Sequence, residues 1–176
     1  MFNPLKGKEG EFRQQGRIPP GQSLTERFPI LHYGEVPDYN LSKWTFRFFG
    51  EIETPRTFTW AEFQKLPTRR MTMDIHCVTK WSKMDTVWEG VWVPDLIDAG
   101  IITLKPTARF AIQHCEYGFT TNLDLAHMLR PTTLLAMRYN DEPLTPDHGF
   151  PLRVVVGAVK EQSQDPDTRY FWKGGK

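Results

Sequence analysis

Cysteine is scarce in this chain: only Cys77 and Cys115 occur among 176 residues, and no Cys-x-x-Cys pair is present. That scarcity excludes a disulfide-stapled miniature domain, and a chain of this length buries roughly 70% of its unfolded surface without staples. An excess of charge is also missing, since 22 basic residues face 21 acidic ones and no Lys/Arg stripe forms. The balance excludes the electrostatic footprint of a polyanion binder, so no nucleic-acid partner is expected. No long apolar run exists, and a membrane span needs roughly 20 consecutive apolar residues. Residues 1–17 are polar and charged, with neither the apolar core of a signal peptide nor a twin arginine. A cytoplasmic protein with no membrane span and with free thiols is therefore expected.

What the chain does hold is proline and tryptophan, 14 and six respectively, which point to a loop-rich, aromatic-rich globular protein. Residues 1–22 scatter Gly7, Gly10, Gly16, Pro19, Pro20 and Gly21 among charges and read as an N-terminal arm. A single domain is expected over 23–159 and a polar C-terminal tail over 160–176. Trp44-Thr45-Phe46-Arg47-Phe48-Phe49-Gly50 reads as a strand ending in a turn. Thr59 and Glu62 have capping-box spacing and open a short helix that Pro67 ends. Met71, Met73, Ile75 and Cys77 alternate with Thr72, Asp74 and His76, so Cys77 falls at the end of a strand on its apolar side. Further helices are expected over 94–99 and 123–129, with Asn122 or Asp124 capping the second. Strands are expected over 109–115, 134–139 and 152–156, with a tight turn at Asn140-Asp141. Strands interleaved with short helices give an α+β or mixed α/β class.

Cys77 is the residue with the most chemical potential, because a thiolate binds soft, redox-active metals and a nearby cation favours its deprotonation. A Cys2His2 zinc site from His76, Cys77, His114 and Cys115 is disfavoured, because neighbours on a strand point to opposite faces. A nucleophilic Cys77 activated by His76 or Lys80 is a second reading, and a small buried residue ending a strand is the plainest one. The remaining reading is a cofactor that brings most of the coordination sphere and takes one protein thiolate.

The segment over 74–91, Asp-Ile-His-Cys-Val-Thr-Lys-Trp-Ser-Lys-Met-Asp-Thr-Val-Trp-Glu-Gly-Val, resembles the molybdenum-binding segment of the sulfite oxidase and molybdopterin oxidoreductase superfamily. It is nearest to the small bacterial branch that includes the catalytic subunits of methionine sulfoxide reductases. The likeness recurs at Leu31-His32-Tyr33-Gly34, Thr120-Thr121-Asn122-Leu123 and His148-Gly149-Phe150-Pro151-Leu152-Arg153, in order along 28–156.

The resemblance implies an α+β, mixed-sheet, sulfite-oxidase-type molybdopterin-binding fold with short helices, and a molybdenum–molybdopterin cofactor. It implies that Cys77 is the thiolate on molybdenum and so the catalytic centre. His148 and Arg153 match positions that hold the pterin and its phosphate, and a guanidinium suits phosphate oxygens as a planar fork. His32 and Tyr33 match an early loop that wraps the pterin, and His114, beside Cys115, falls on a loop bordering the metal. Lys173 and Lys176, in Tyr170-Phe171-Trp172-Lys173-Gly174-Gly175-Lys176, match a late cofactor-binding segment displaced by an insertion. The family's following strand has no counterpart before the chain stops, so the tail is expected to be truncated.

The implied function is oxygen-atom or electron transfer on a small oxyanion, sulfoxide or N-oxide. Sulfite itself is the less expected substrate, because Val78-Thr79-Lys80 follows the ligand where an arginine-bearing segment is usual, and Phe119 stands where a tyrosine is usual. No haem-attachment Cys-x-x-Cys-His occurs, so a separate electron-transfer partner is implied. The altered C-terminus leaves one alternative, a cofactor-free family member that serves as an interaction module.

Overall fold

The computed structural model describes residues 4–31 and 34–157; His32, Tyr33, Lys173 and Lys176 lie outside the described residues. The chain opens with helix α1 (Pro4–Gln14) and strand β1 (Ser23–Leu24), followed by the hairpin β2 (Thr45–Phe48) and β3 (Arg56–Thr59). Helix α2 (Trp60–Phe63) leads into β4 (Arg69–His76) and β5 (Trp81–Val91), and α3 (Val93–Asp98) follows. A second hairpin, β6 (Phe110–His114) and β7 (Thr120–Asp124), runs into α4 (Leu125–Met128). The last strands are β8 (Thr133–Tyr139), β9 (Glu142–Pro143) and β10 (Arg153–Val156).

The main sheet is built around β5. Antiparallel β4 pairs with it from Arg69↔Gly90 to His76↔Ser82, while parallel β1 meets its first residues and antiparallel β8 its last. Strand β10 then pairs antiparallel with β8, and β9 also borders β8. The sheet is mixed, as expected for the α+β fold, and the two hairpins β2–β3 and β6–β7 are separate two-stranded sheets.

Successive side chains of a strand face opposite ways, and the two cores follow that alternation. On β8, Leu135 joins a core with Phe58, Phe63, Val91, Leu96 and Met128, whereas Leu134 and Ala136 join one with Met73, Ile75, Trp88 and Val155. The sheet is thus buried on both faces. Gly90 sits where β5 and β8 come closest: a Cβ there would lie 2.2 Å from the Leu135 carbonyl oxygen, so only glycine permits the approach.

Several local expectations hold. Thr59 Oγ1 accepts from the Glu62 N–H at 3.3 Å while the Glu62 carboxylate accepts from the Thr59 N–H at 2.8 Å, closing the capping box on α2. Pro94 lies in the first turn of α3, and Asn140 and Asp141 adopt φ values of 48° and 68° in the β8–β9 turn. Elsewhere the structure departs from the sequence reading. Asp124 is the N-cap of α4 but makes no side-chain cap, and Leu123 and Asp124, read as the start of that helix, end strand β7 instead. Residues 4–14 are helical, and Arg17, Ile18 and Gln22, read as part of an arm, are buried in the domain.

Candidate functional site

Cys77 lies in the turn that joins β4 to β5. Its N–H donates to the Trp81 carbonyl at 2.9 Å, and the Lys80 N–H donates back to the Cys77 carbonyl at 2.9 Å. Lys80 closes the turn at φ 70°, a left-handed conformation uncommon for a side-chain-bearing residue. Its backbone shapes the turn while its side chain is exposed. The Cys77 side chain is buried, with Sγ 3.1 Å from Thr79 Oγ1.

Strand β4 delivers more than its apolar face. The β4–β5 pairing shifts register between Met73 and Ile75, and Asp74 and His76 are buried as well as Met73, Ile75 and Cys77. Arg17 supplies the counter-charge for Asp74, donating through Nε at 2.9 Å and Nη2 at 2.6 Å, and Nη2 also reaches Asp85 at 2.6 Å. The hydrogen bond to Asp74 raises the Arg17 pKa above its ordinary value.

His76 is engaged by Ser82. Its Nδ1 lies 2.8 Å from Ser82 Oγ, whose own proton is directed to Gln22 Oε1 at 3.0 Å, so Nδ1 carries the hydrogen of a neutral ring. Burial lowers the His76 pKa, in keeping with that neutral form. Gln22 Nε2 then donates to the Cys77 carbonyl at 3.0 Å.

A cleft of about 570 Å³ opens between the two hairpins and the β8–β10 side of the sheet, lined by Trp44, Phe48, His114, Cys115 and Arg153 among others. His114 and Cys115 both reach it, because Cys115 lies just beyond the end of β6 and escapes strict strand alternation. Burial, with the neighbouring Glu116 carboxylate adding to it, pushes the Cys115 thiol up to about 11. Tyr39, also on the cleft, donates to Glu116 Oε2 at 2.6 Å.

Arg153 is buried at the start of β10, and its Nη1 donates to the His148 carbonyl at 2.8 Å. Burial lowers its pKa, yet a guanidinium keeps its proton across the ordinary pH range, so a permanent cation borders the cleft. His148 is tied into the protein by both ring nitrogens. Nε2 lies 3.2 Å from the Phe28 carbonyl, Nδ1 lies 2.8 Å from Thr145 Oγ1, and the ring stacks on Phe28 at 4.2 Å. The structure therefore brings His114, Cys115 and Arg153 to one cleft and His148 directly behind Arg153. Cys77 is not among the residues that line that cleft.

The donor set suits a metal that brings its own ligands. Among the described residues no three of His, Cys, Asp and Glu converge on one point, so a protein-only cage such as zinc requires is not formed there. Cys77, a single buried thiol outside the cleft, and Arg153, a buried cation bordering it, are each of the kind that a cofactor carrying sulfur donors and a phosphate uses. The structural residues that sequence reasoning missed are Arg17 and Gln22, which touch this site from the N-terminal segment.

Comparison with known proteins gives a consistent result. The sequence profile of the oxidoreductase molybdopterin binding domain matches residues 33–160. The chain is 42% identical over 172 residues to the uncharacterized oxidoreductase YuiH of Bacillus subtilis strain 168, covering 97% of this chain and 80% of that protein. It is 28% identical over 134 residues to the protein-methionine-sulfoxide reductase catalytic subunit MsrP of Campylobacter jejuni, covering 68% of this chain but only 45% of that one. In fold it is similar to the sulfane dehydrogenase SoxCD of Paracoccus pantotrophus, with a TM-score of 0.62 and 16% identity over 81% of this chain and 41% of that one. Among the described residues no helix is long and apolar enough to cross a membrane.

Proposed function

Because the chain belongs to the oxidoreductase molybdopterin-binding domain family, we propose that Cys77 is the protein thiolate on the molybdenum of the family's pterin cofactor. The carrying observation is the Cys77 turn itself, a buried thiol at the end of a doubly buried hairpin, held by backbone hydrogen bonds on both sides. When bound, the molybdenum–pterin centre supplies two-electron redox and oxygen-atom-transfer chemistry.

This chain's residues provide the setting. The Cys77 thiolate holds the metal, and Thr79 Oγ1, 3.1 Å from Sγ, donates a hydrogen bond that stabilises the charged sulfur. Arg153 offers a permanent cation to the anionic part of the cofactor, and the His148 carbonyl holds its Nη1. His114 supplies an imidazole edge at the cleft, and His32, Tyr33, Lys173 and Lys176, outside the described residues, are assigned to the cofactor by the resemblance alone. The substrate is a small oxyanion, sulfoxide or N-oxide, and electrons are exchanged with a separate protein partner.

The test is elemental analysis of the full chain expressed with pterin cofactor supply. Stoichiometric molybdenum in the parent and its loss in Cys77→Ala, with the fold retained by circular dichroism, is the expected result. Molybdenum retained by Cys77→Ala would overturn the ligand assignment, and a folded parent that never takes up molybdenum would favour the cofactor-free interaction module. Turnover of sulfoxides, N-oxides and sulfite by the loaded protein then sorts the substrate classes.

A further inference from the structure

The N-terminal segment runs alongside the β4–β5 hairpin and ties it at two heights. Beside the register shift, Arg17 holds Asp74 and Asp85. At the tip, the Ser23 N–H donates to the Lys80 carbonyl at 3.0 Å and the Thr25 N–H to the Ser82 carbonyl at 2.9 Å. Gln22 stands between these contacts with its side chain turned inward, 3% exposed, beside the fully buried Ser82 and Cys77.

Both ends of the Gln22 amide are used. Oε1 accepts from Ser82 Oγ at 3.0 Å, and Nε2 donates to the Cys77 carbonyl at 3.0 Å. The Cys77 carbonyl thus accepts two hydrogen bonds, one from Lys80 within the turn and one from Gln22 outside it. Behind Ser82, the neutral His76 ring donates through Nδ1 and completes a relay from His76 to Ser82 to Gln22 to the Cys77 backbone. The Gln22 backbone is anchored in turn: its carbonyl accepts from Arg13 of α1, its N–H donates to the Pro19 carbonyl at 3.2 Å, and the Leu24 N–H donates to Glu9 of α1 at 3.1 Å.

We propose that Gln22 is a positioning residue for the Cys77 ligand, a brace from the N-terminal segment that fixes the backbone from which the thiolate projects. This rests on Cys77 being the metal ligand. A ligand held in place before the metal arrives loses little freedom on binding, and outer hydrogen bonds that orient a ligand therefore strengthen the site. A glutamine suits the task because its amide presents a donor and an acceptor at once and carries no charge into a buried place.

The experiment reads the turn directly. In the full chain expressed without pterin supply, the labelling rate of the Cys77-containing peptide by iodoacetamide is followed by mass spectrometry. Gln22→Met, which keeps the side-chain volume and removes both polar contacts, is expected to speed labelling about tenfold, the change in local opening produced by losing roughly one buried hydrogen bond. Ile18→Val trims the same buried segment without touching the turn and is expected to leave the rate at the parental value. An unchanged rate in Gln22→Met, or an equal acceleration in Ile18→Val, overturns the brace. Should Gln22→Met fail to fold, Ser82→Ala removes the anchor of Gln22 instead, and an unchanged rate there overturns it equally.

In protein loaded with cofactor, Gln22→Met is expected to hold less molybdenum per chain than the parent at equal helix and strand content. Parental occupancy in that variant overturns the role toward the ligand. Molybdenum retained by Cys77→Ala would instead overturn the ligand assignment while leaving the labelling result standing, so the two failures are distinguishable.

Discussion

Arg17 grips Asp74 through two parallel hydrogen bonds, Nε to Oδ2 at 2.9 Å and Nη2 to Oδ1 at 2.6 Å, with both side chains almost wholly buried. Asp74 lies three positions before Cys77, so the charge lock sits near the end of β4 that leads into the Cys77 turn. Removing one partner of such a pair leaves the other charge buried and uncompensated. Arg17→Ala is therefore expected to lower stability by about 3–5 kcal/mol in urea unfolding. Asp85 also accepts from Arg17, but its side chain is 50% exposed and water replaces the contact. Asp85→Asn is expected to cost under about 1 kcal/mol, and equal losses at Asp74 and Asp85 would refute the distinction.

Arg153 is expected to act through the shape of its guanidinium as well as its charge. Charge-assisted hydrogen bonds are worth about 1.5–3 kcal/mol, so Arg153→Ala should weaken retention of the pterin roughly ten- to a hundredfold. Arg153→Lys keeps the charge but loses the planar fork and should recover only part of that affinity. Fluorescence of the oxidised pterin released from equal amounts of folded protein measures the effect. Full retention in Arg153→Ala would remove the residue from the cofactor's contacts.

Cys115 should be a slow thiol. Its folded-state pKa is raised to about 11, chiefly by burial, so the thiolate is scarce at neutral pH. Alkylation of Cys115 in the native protein is expected to stay slow through pH 8 and to climb toward about pH 11. The sign for stability follows: the unfolded thiol ionises first, so a stabilising term present below the unfolded pKa of about 8.5 fades as pH rises through the folded value. Cys115→Ser should flatten that alkaline decline in a pH series of melting temperatures. A Cys115 that alkylates at pH 7 as fast as a free peptide thiol would contradict the prediction.

Much of this architecture was legible where a local rule decides the structure. The Thr59 and Glu62 capping box, the strands around residues 110, 135 and 154, and the Asn140-Asp141 turn all formed, each from side chains acting on their own backbone. Strand β5 was not legible, although it is the centre of the sheet. Lys83, Asp85, Glu89 and Gly90 interrupt its apolar pattern, and register shifts on both edges destroy a simple two-residue period. Helix α1 hid for another reason: its sequence is polar with glycines at positions 7 and 10, while the Arg13–Glu9 ion pair and contacts to Gln22 and Leu24 tie it to the domain. The site split along the same line. Cys77, His114 and Arg153 carry chemistry that a sequence announces, whereas Gln22 becomes visible only when the fold sets it 3.0 Å from the Cys77 carbonyl.

His148 separates a structural contribution from a cofactor contact. A carbonyl only accepts, so Nε2 must carry the hydrogen toward the Phe28 carbonyl, and Nδ1 accepts from the Thr145 hydroxyl in the neutral ring. With both nitrogens engaged and its ring stacked on Phe28, the imidazole links the turn over 145–149, which holds Arg153 through the His148 carbonyl, to the aromatic group of Phe28, Trp88 and Tyr139. His148→Ala is expected to cost about 1–3 kcal/mol and to lower the melting temperature of the full chain by some 2–4 °C for each kcal/mol. If the ring acts only by holding that turn, pterin retention in His148→Ala should return toward the parental level when the protein is loaded and assayed about 10–15 °C colder, where the weakened turn stays closed. A deficit that persists unchanged in the cold, in protein whose near-UV circular dichroism matches the parent, would instead assign His148 a direct contact with the cofactor.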